Sequence, residues 1–190
     1  MPTNMDIREE IFPSQKREAY VQTEWAAGWM STASGFGEAA RRLTDQRRQI
    51  GAEIDQIGVA IFYLQRHRVE LLIKGALDEL GCAPEEVFRL GHDLRRLWLR
   101  LGAEIEGFSA QLWRELDHEA TQFVEVLQEA DTNAAQYRYP VGKTGGASRR
   151  AEFVDLHELQ RHAEAFDSII EGCIDWIDEA RAAEAEFKEL

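Results

Sequence analysis

From Leu156 to Ala180 the apolar residues Leu156, Leu159, Ala163, Phe166, Ile170, Cys173, Ile177 and Ala180 recur in strictly alternating steps of three and four. An α-helix places such positions on one side, whereas a half-buried strand needs a period of two. The narrow seam that results is of coiled-coil type and suits antiparallel packing in a bundle. A last helix is therefore expected from about Asp155 to Glu186. No alternating strand pattern competes with it anywhere, and four prolines in 190 residues leave room for further long helices.

The remaining segments share the same period. Residues 1–13 are polar, end in Phe12-Pro13 and read as an arm, with Ser14 a candidate N-cap for the helix-favouring run behind it. From Glu18 to about Gln49 the residues Tyr20, Trp25, Trp29, Phe36, Ala40 and Leu43 form a stripe, which Gly35 and Gly37 are expected to kink or split. Ile54, Ile57, Ile61, Leu64 and Leu71 predict a second helix over about 51–80, stopped by Gly81 with Pro84 beyond. Pro84 opens a short turn through Leu90. Leu94, Leu97, Trp98 and Leu101 then face inward from a third helix, which Gly102 and Gly107 weaken and Ser109 recaps. Leu112, Leu116, Ala120, Phe123 and Leu127 carry the stripe to about Asp131. Between 132 and 150 periodicity vanishes among Pro140, Gly142, Gly145, Gly146 and Ser148, a long irregular loop of the kind that is functional or disordered. The expected architecture is all-α: an up-and-down bundle of four to five helices, one domain over 14–190 with an irregular loop at 132–150. The length suits one core. Ile169 and Trp176 lie off the last helix's main seam, where a second apolar face would support a homodimer.

A formal net charge of −13 argues against a surface built to neutralise phosphates, so no DNA partner is expected. The charge is uneven: residues 151–190 hold 12 acidic and 3 basic side chains, a net of −9, leaving −4 for residues 1–150. A local basic patch built from Arg41, Arg42, Arg47, Arg48, Arg66, Arg68, Arg95, Arg96 and Arg100 competes with a plainer reading, solvated helix faces paired to nearby acids. Cys82 and Cys173 have no zinc-finger spacing and read as reduced structural thiols, one beside a turn and one in the core. The N-terminus has no basic stretch followed by an apolar one, and no window approaches a membrane span, so the cytoplasm is the expected compartment and no membrane partner is expected.

Within the second helix His67, Glu70 and Lys74 are spaced by three and four and share one face. Taken alone they are an exposed His beside a helix-stabilising Glu-Lys pair. They are succeeded after a turn by His92-Asp93-Leu94, and later by Tyr137-Arg138-Tyr139-Pro140 ahead of a glycine-rich loop and the final amphipathic helix. In this order the pieces resemble the nucleotidyltransferase-associated branch of the HEPN (higher eukaryotes and prokaryotes nucleotide-binding) superfamily. That branch carries a His and a Glu-x-x-x-Lys in one long helix, a His-Asp-Leu opening the next, and an Arg-Tyr-Pro after the third. The resemblance covers roughly residues 54–176. It implies a homodimeric bundle of four or five helices, and a role as a nucleotide-binding module, as partner of a nucleotidyltransferase-type antitoxin, or as a ribonuclease toxin in bacterial defence. His67, His92, Arg138 and Tyr139 would converge on one end, imidazoles and guanidinium suiting phosphate and the tyrosine ring a base. Asp93 would orient His92 or cap the third helix.

Ribonuclease members of the superfamily have an Arg, four to six residues, then a His near the start of the last helix. Arg150 and His157 match that spacing, His157 as acid or base and Arg150 for the phosphorane charge. The spacing is common by chance in a chain this rich in arginine, and Ala151 replaces the polar residue that usually comes next. Three readings result: a nucleotide- or partner-binding module, a metal-independent endoribonuclease toxin acting on RNA, and a ligand-free helical scaffold. No cofactor or metal is expected: Gly142-Lys143-Thr144 has Tyr137 where a phosphate loop needs glycine, and the Glu115-x-x-His118 pair lacks a second copy.

Overall fold

The computed structural model describes residues 28–50, 54–132, 134 and 153–189. The expected arm, Ser14, Tyr20 and Trp25 lie outside these, as do Arg47 and Arg48 as side chains and nearly all of the loop at 132–150. Among the described residues there are six helices and no strand: α1 (Trp29–Ile50), α2 (Ile54–Glu79), α3 (Pro84–Arg89), α4 (Leu94–Phe108), α5 (Ala110–Ala130) and α6 (Leu156–Glu189). The all-α bundle is thus the observed class. Among the described residues no helix is long and apolar enough to cross a membrane.

Helix ends sit where local chemistry puts them. Gly81, at φ 90°, closes α2 as its N–H bonds the Asp78 carbonyl and the Cys82 N–H bonds that of Leu77. This pair of bonds is the Schellman arrangement, in which a left-handed glycine satisfies the last carbonyls. Pro84 opens α3 in the first turn, where a missing N–H costs nothing. Asp93 caps α4 by accepting from the Arg96 N–H at 3.0 Å, and Ser109 ends α4 while capping α5 through the Leu112 N–H. Gly35 and Gly37 do not split α1, which runs through both. Gly37 instead makes room: a Cβ there would stand 2.6 Å from Nε of Arg68.

The register of the helices is set by paired contacts. α1 and α2 form an antiparallel hairpin, with Met30 against Gly75, Trp29 over Lys74 and Phe36 against His67. α4 and α5 form another, with Leu94 bonded to Gln128, Trp98 to Thr121, and Gly102 against Trp113. α6 meets α2 in the opposite sense. Leu156 lies by Gly58, Gln160 bonds Gln65, Asp167 pairs with Arg68, and Arg181 donates to the carbonyls of Glu79 and Leu80. Both numbers rise together, so α2 and α6 run parallel. α4 points the same way, since Trp98 contacts Phe166 and Phe108 lies under Arg181. The antiparallel contacts expected of the last helix are those it makes with α1 and with α5, the latter at Phe123 and His162. Ile61, Leu72, Leu77, Leu97, Leu101, Leu127, Phe166 and Ile177 are among the residues of one continuous core. Cys82 and Cys173 are free and buried.

Candidate functional site

Seen from solvent, α2 loses its polar face between Gln65 and Leu77. Every residue over that stretch is buried except His67, because α1, α4 and α6 enclose the helix. Four charged side chains are carried inward with it: Arg66, Arg68, Glu70 and Lys74. Ions that leave water must find partners, since the interior penalises an uncompensated charge by several kcal/mol.

Glu70 is the centre of one cluster. Its side chain is 1% exposed, and Oε1 accepts from Nζ of Lys74 and lies against Nδ1 of His92, both at 2.8 Å. On the other oxygen stand a guanidinium nitrogen of Arg66 at 3.5 Å and Nδ1 of His67 at 3.9 Å. Burial pushes the Glu70 carboxyl up, but the imidazole of His67, the ammonium of Lys74 and the bond with His92 outweigh it and hold the group down at about 2. Arg66 is buried almost completely. It donates to the His92 carbonyl at 2.9 Å and lies 3.7 Å from Asp131, itself 0% exposed. Lys74 Nζ also sits 5.4 Å from the centre of the Trp29 ring, a cation–π contact.

The cluster therefore grades from closed to open. Glu70, Lys74, Arg66 and Asp131 are inside, His67 is a quarter exposed, and the His92 side chain is 57% exposed. Neither Glu70 nor Lys74 reaches the surface; they fix the positions of His67 and His92, which do. His67 is held further by Phe36, edge-on at 4.7 Å, and Tyr63, stacked at 5.8 Å. Nδ1 of His92 is engaged by a carboxylate, the geometry by which a buried acid fixes an imidazole tautomer.

Of the residues singled out from the sequence, His67, Glu70, Lys74 and His92 come together. Asp93 takes the capping role and not the orientation of His92, which falls to Glu70. His157 is exposed in the first turn of α6, where Asp155 caps the helix through the His157 and Glu158 N–H groups. Its neighbour Leu156 lies by Gly58, twelve residues along α2 from Glu70 and so about 18 Å along the helix axis. Arg138, Tyr139 and Arg150 lie outside the described residues. Among the described residues no group of three His, Cys, Asp or Glu side chains is placed to hold a metal.

Among the described side chains the arginines do not gather into a basic patch. Arg41 and Arg42 pair with Glu38, Arg95 with Glu125, and Arg100 with Glu86 and Glu104, as the plainer reading expects. Arg66 and Arg68 fit neither reading, being buried. A second internal network gathers around Arg68: it pairs with Asp167, bonds Gln65 at 3.3 Å, and Gln65 donates to Gln160 at 2.5 Å. Burial pulls the Arg68 guanidinium down from its ordinary value, opposed by the charges of Glu164 and Glu171. The structural partners Asp131, Asp167 and Gln160 were not singled out from the sequence. Gln160 and Asp167 flank the apolar seam of the last helix on its core side, which is the trace they leave there.

The chain matches no protein family model, no curated protein and no solved structure, so the likeness to the HEPN superfamily rests on the motifs themselves.

Proposed function

We propose that the chain is a HEPN-like nucleotide-binding module whose ligand meets the surface formed by His92 and His67. One observation carries the reading: a buried carboxylate, charge-paired with Lys74 and Arg66, also holds Nδ1 of His92, whose ring is more than half exposed, and stands beside Nδ1 of His67. A buried ion cluster adds little net stability over an apolar core. It does fix the orientation of a group at the surface. An imidazole so held accepts from a donor on a base when neutral and donates to a phosphate oxygen when protonated. Arg138 and Tyr139 come seven and eight residues after Asp131, which touches Arg66 beneath the His92 turn. In this reading they supply a guanidinium fork and a ring for stacking. The homodimer and a nucleotidyltransferase-type antitoxin partner belong to the same proposal, as implied by the resemblance.

Calorimetry with adenosine and guanosine mono- and triphosphates tests it, beside labelled RNA incubated in EDTA. The expected outcome is binding by the wild type, weakened tenfold or more by His92→Ala and by Arg138→Ala, with RNA left intact. RNA cleavage abolished by His157→Ala would establish the ribonuclease reading instead. Neither binding nor cleavage would leave a helical scaffold.

A further inference from the structure

The last helix outruns the bundle. Arg181 reaches the end of α2 at Glu79 and Leu80, yet α6 continues to Glu189, about 12 Å farther at 1.5 Å per residue. Isolated helix of two turns is marginal in water, and among the described residues Ala182, Ala183, Ala185, Glu186 and Phe187 are exposed, outside the core. It is not uniformly polar. Ile169, Gly172, Trp176, Ala180, Ala183 and Phe187 recur in steps of three and four, a second stripe that borders the inward seam, shares Ala180 with it, and begins at Ile169 against the core. Trp176 is 41% exposed and Phe187 81%. Between Ile169 and Trp176 the stripe has a notch: a Cβ on Gly172 would meet nothing within 4 Å. Large rings beside a vacancy of this kind are the knobs and holes by which helices interlock.

Charge decides what can lie there. Asp175, Glu179 and Glu186 line the solvent side of the stripe, all exposed, and among the described residues none of them forms an ion pair. From 171 to 187 the chain has six acidic residues and one basic, Arg181, which is engaged by Asp178 and two carbonyls of α2. A second copy laid antiparallel on this face would set acid against acid. RNA would be repelled for the same reason. We propose that this face of α6 is the docking surface for a basic amphipathic helix of a partner protein, with Trp176 and Phe187 as anchors and Asp175, Glu179 and Glu186 as the charge rail. The sign of the rail moves the homodimer contact expected at Ile169 and Trp176 away from this face.

A synthetic 21-residue helix with leucines at steps of three and four, flanked by lysines, serves as probe, with a glutamate-flanked counterpart of the same apolar pattern. Fluorescence anisotropy on the full chain is expected to show binding of the lysine peptide only, weakening as salt is raised. Trp176→Ser with Phe187→Ser, and separately Glu179→Lys with Glu186→Lys, should each weaken it tenfold or more. Gly172→Leu keeps the test sharp, because it fills open space without touching this chain's own core and should also block the probe. Equal binding by Gly172→Leu and the wild type, or equal binding of both peptides, overturns the proposal. So does a dimer seen by sedimentation that Trp176→Ser dissolves, which would give the face to a second copy.

Discussion

Two buried polar clusters hang from the same two turns of α2, and they end differently. Around Glu70 the partners run outward, from Asp131 and Arg66 through the carboxylate to His67 and the exposed ring of His92. Around Arg68 they run sideways, from Gln65 to Gln160 and Asp167 on α6, with Gly37 of α1 closing the back. The first network has a surface terminus and the second ties helices together. Burial of charge does not distinguish a site from a strut; where the network stops does.

The contrast breaks most readily at its centre. Glu70→Ala strands the buried charges of Arg66 and Lys74 together, and should cost about 4 kcal/mol in chemical denaturation. A loss no larger than that of an exposed residue would mean that the Glu70 cluster is hydrated and not closed. Next comes acid. A carboxyl lowered from 4.5 to about 2 contributes stability above its unfolded value, lost as pH falls through the folded one. The wild type should lose about 3 kcal/mol between pH 4.5 and 2 from this group, and Glu70→Gln should show a correspondingly flatter profile in the same titration. Asp167→Ala should cost about 2 kcal/mol by stranding Arg68, whereas Arg68→Met, which removes the ion and keeps its bulk, should stay within about 1 kcal/mol of wild type. If the strut reading is correct, neither Arg68→Met nor Asp167→Ala alters nucleotide affinity in calorimetry. Smallest is Asp93→Ala, about 1 kcal/mol for a lost helix cap. A larger loss of ligand than of stability there would return His92 to the control of Asp93.

Much of the fold was legible because it is written locally. Gly81 with Pro84, Asp93 and Ser109 act on their own turns, and each marks the boundary it signals. The alternating seam of α6 likewise faces the core from Leu156 through Ile177. What the sequence does not express is the number of neighbours around α2. His67, Glu70 and Lys74 at helical spacing describe a polar stripe equally well in water or inside a bundle. Leu71-Leu72-Ile73 and Ala76-Leu77 on the remaining faces are the mark of a helix enclosed on several sides, and they bear on Glu70 more directly than its spacing does. Asp131 shows the same difficulty. It reads as the end of a helix, and only the approach of Arg66 from 65 residues away makes it a buried counter-ion.

The parallel pairing of α2 with α6 also imposes an order on synthesis. Gln65 and Arg68 leave the ribosome some 95 to 99 residues before Gln160 and Asp167. The two hairpins, α1 with α2 and α4 with α5, join stretches that are close in the chain and are able to assemble while translation continues. Until α6 emerges, the nascent protein holds a guanidinium in an open apolar trough, and the last helix arrives both as the missing wall and as the anion that neutralises it.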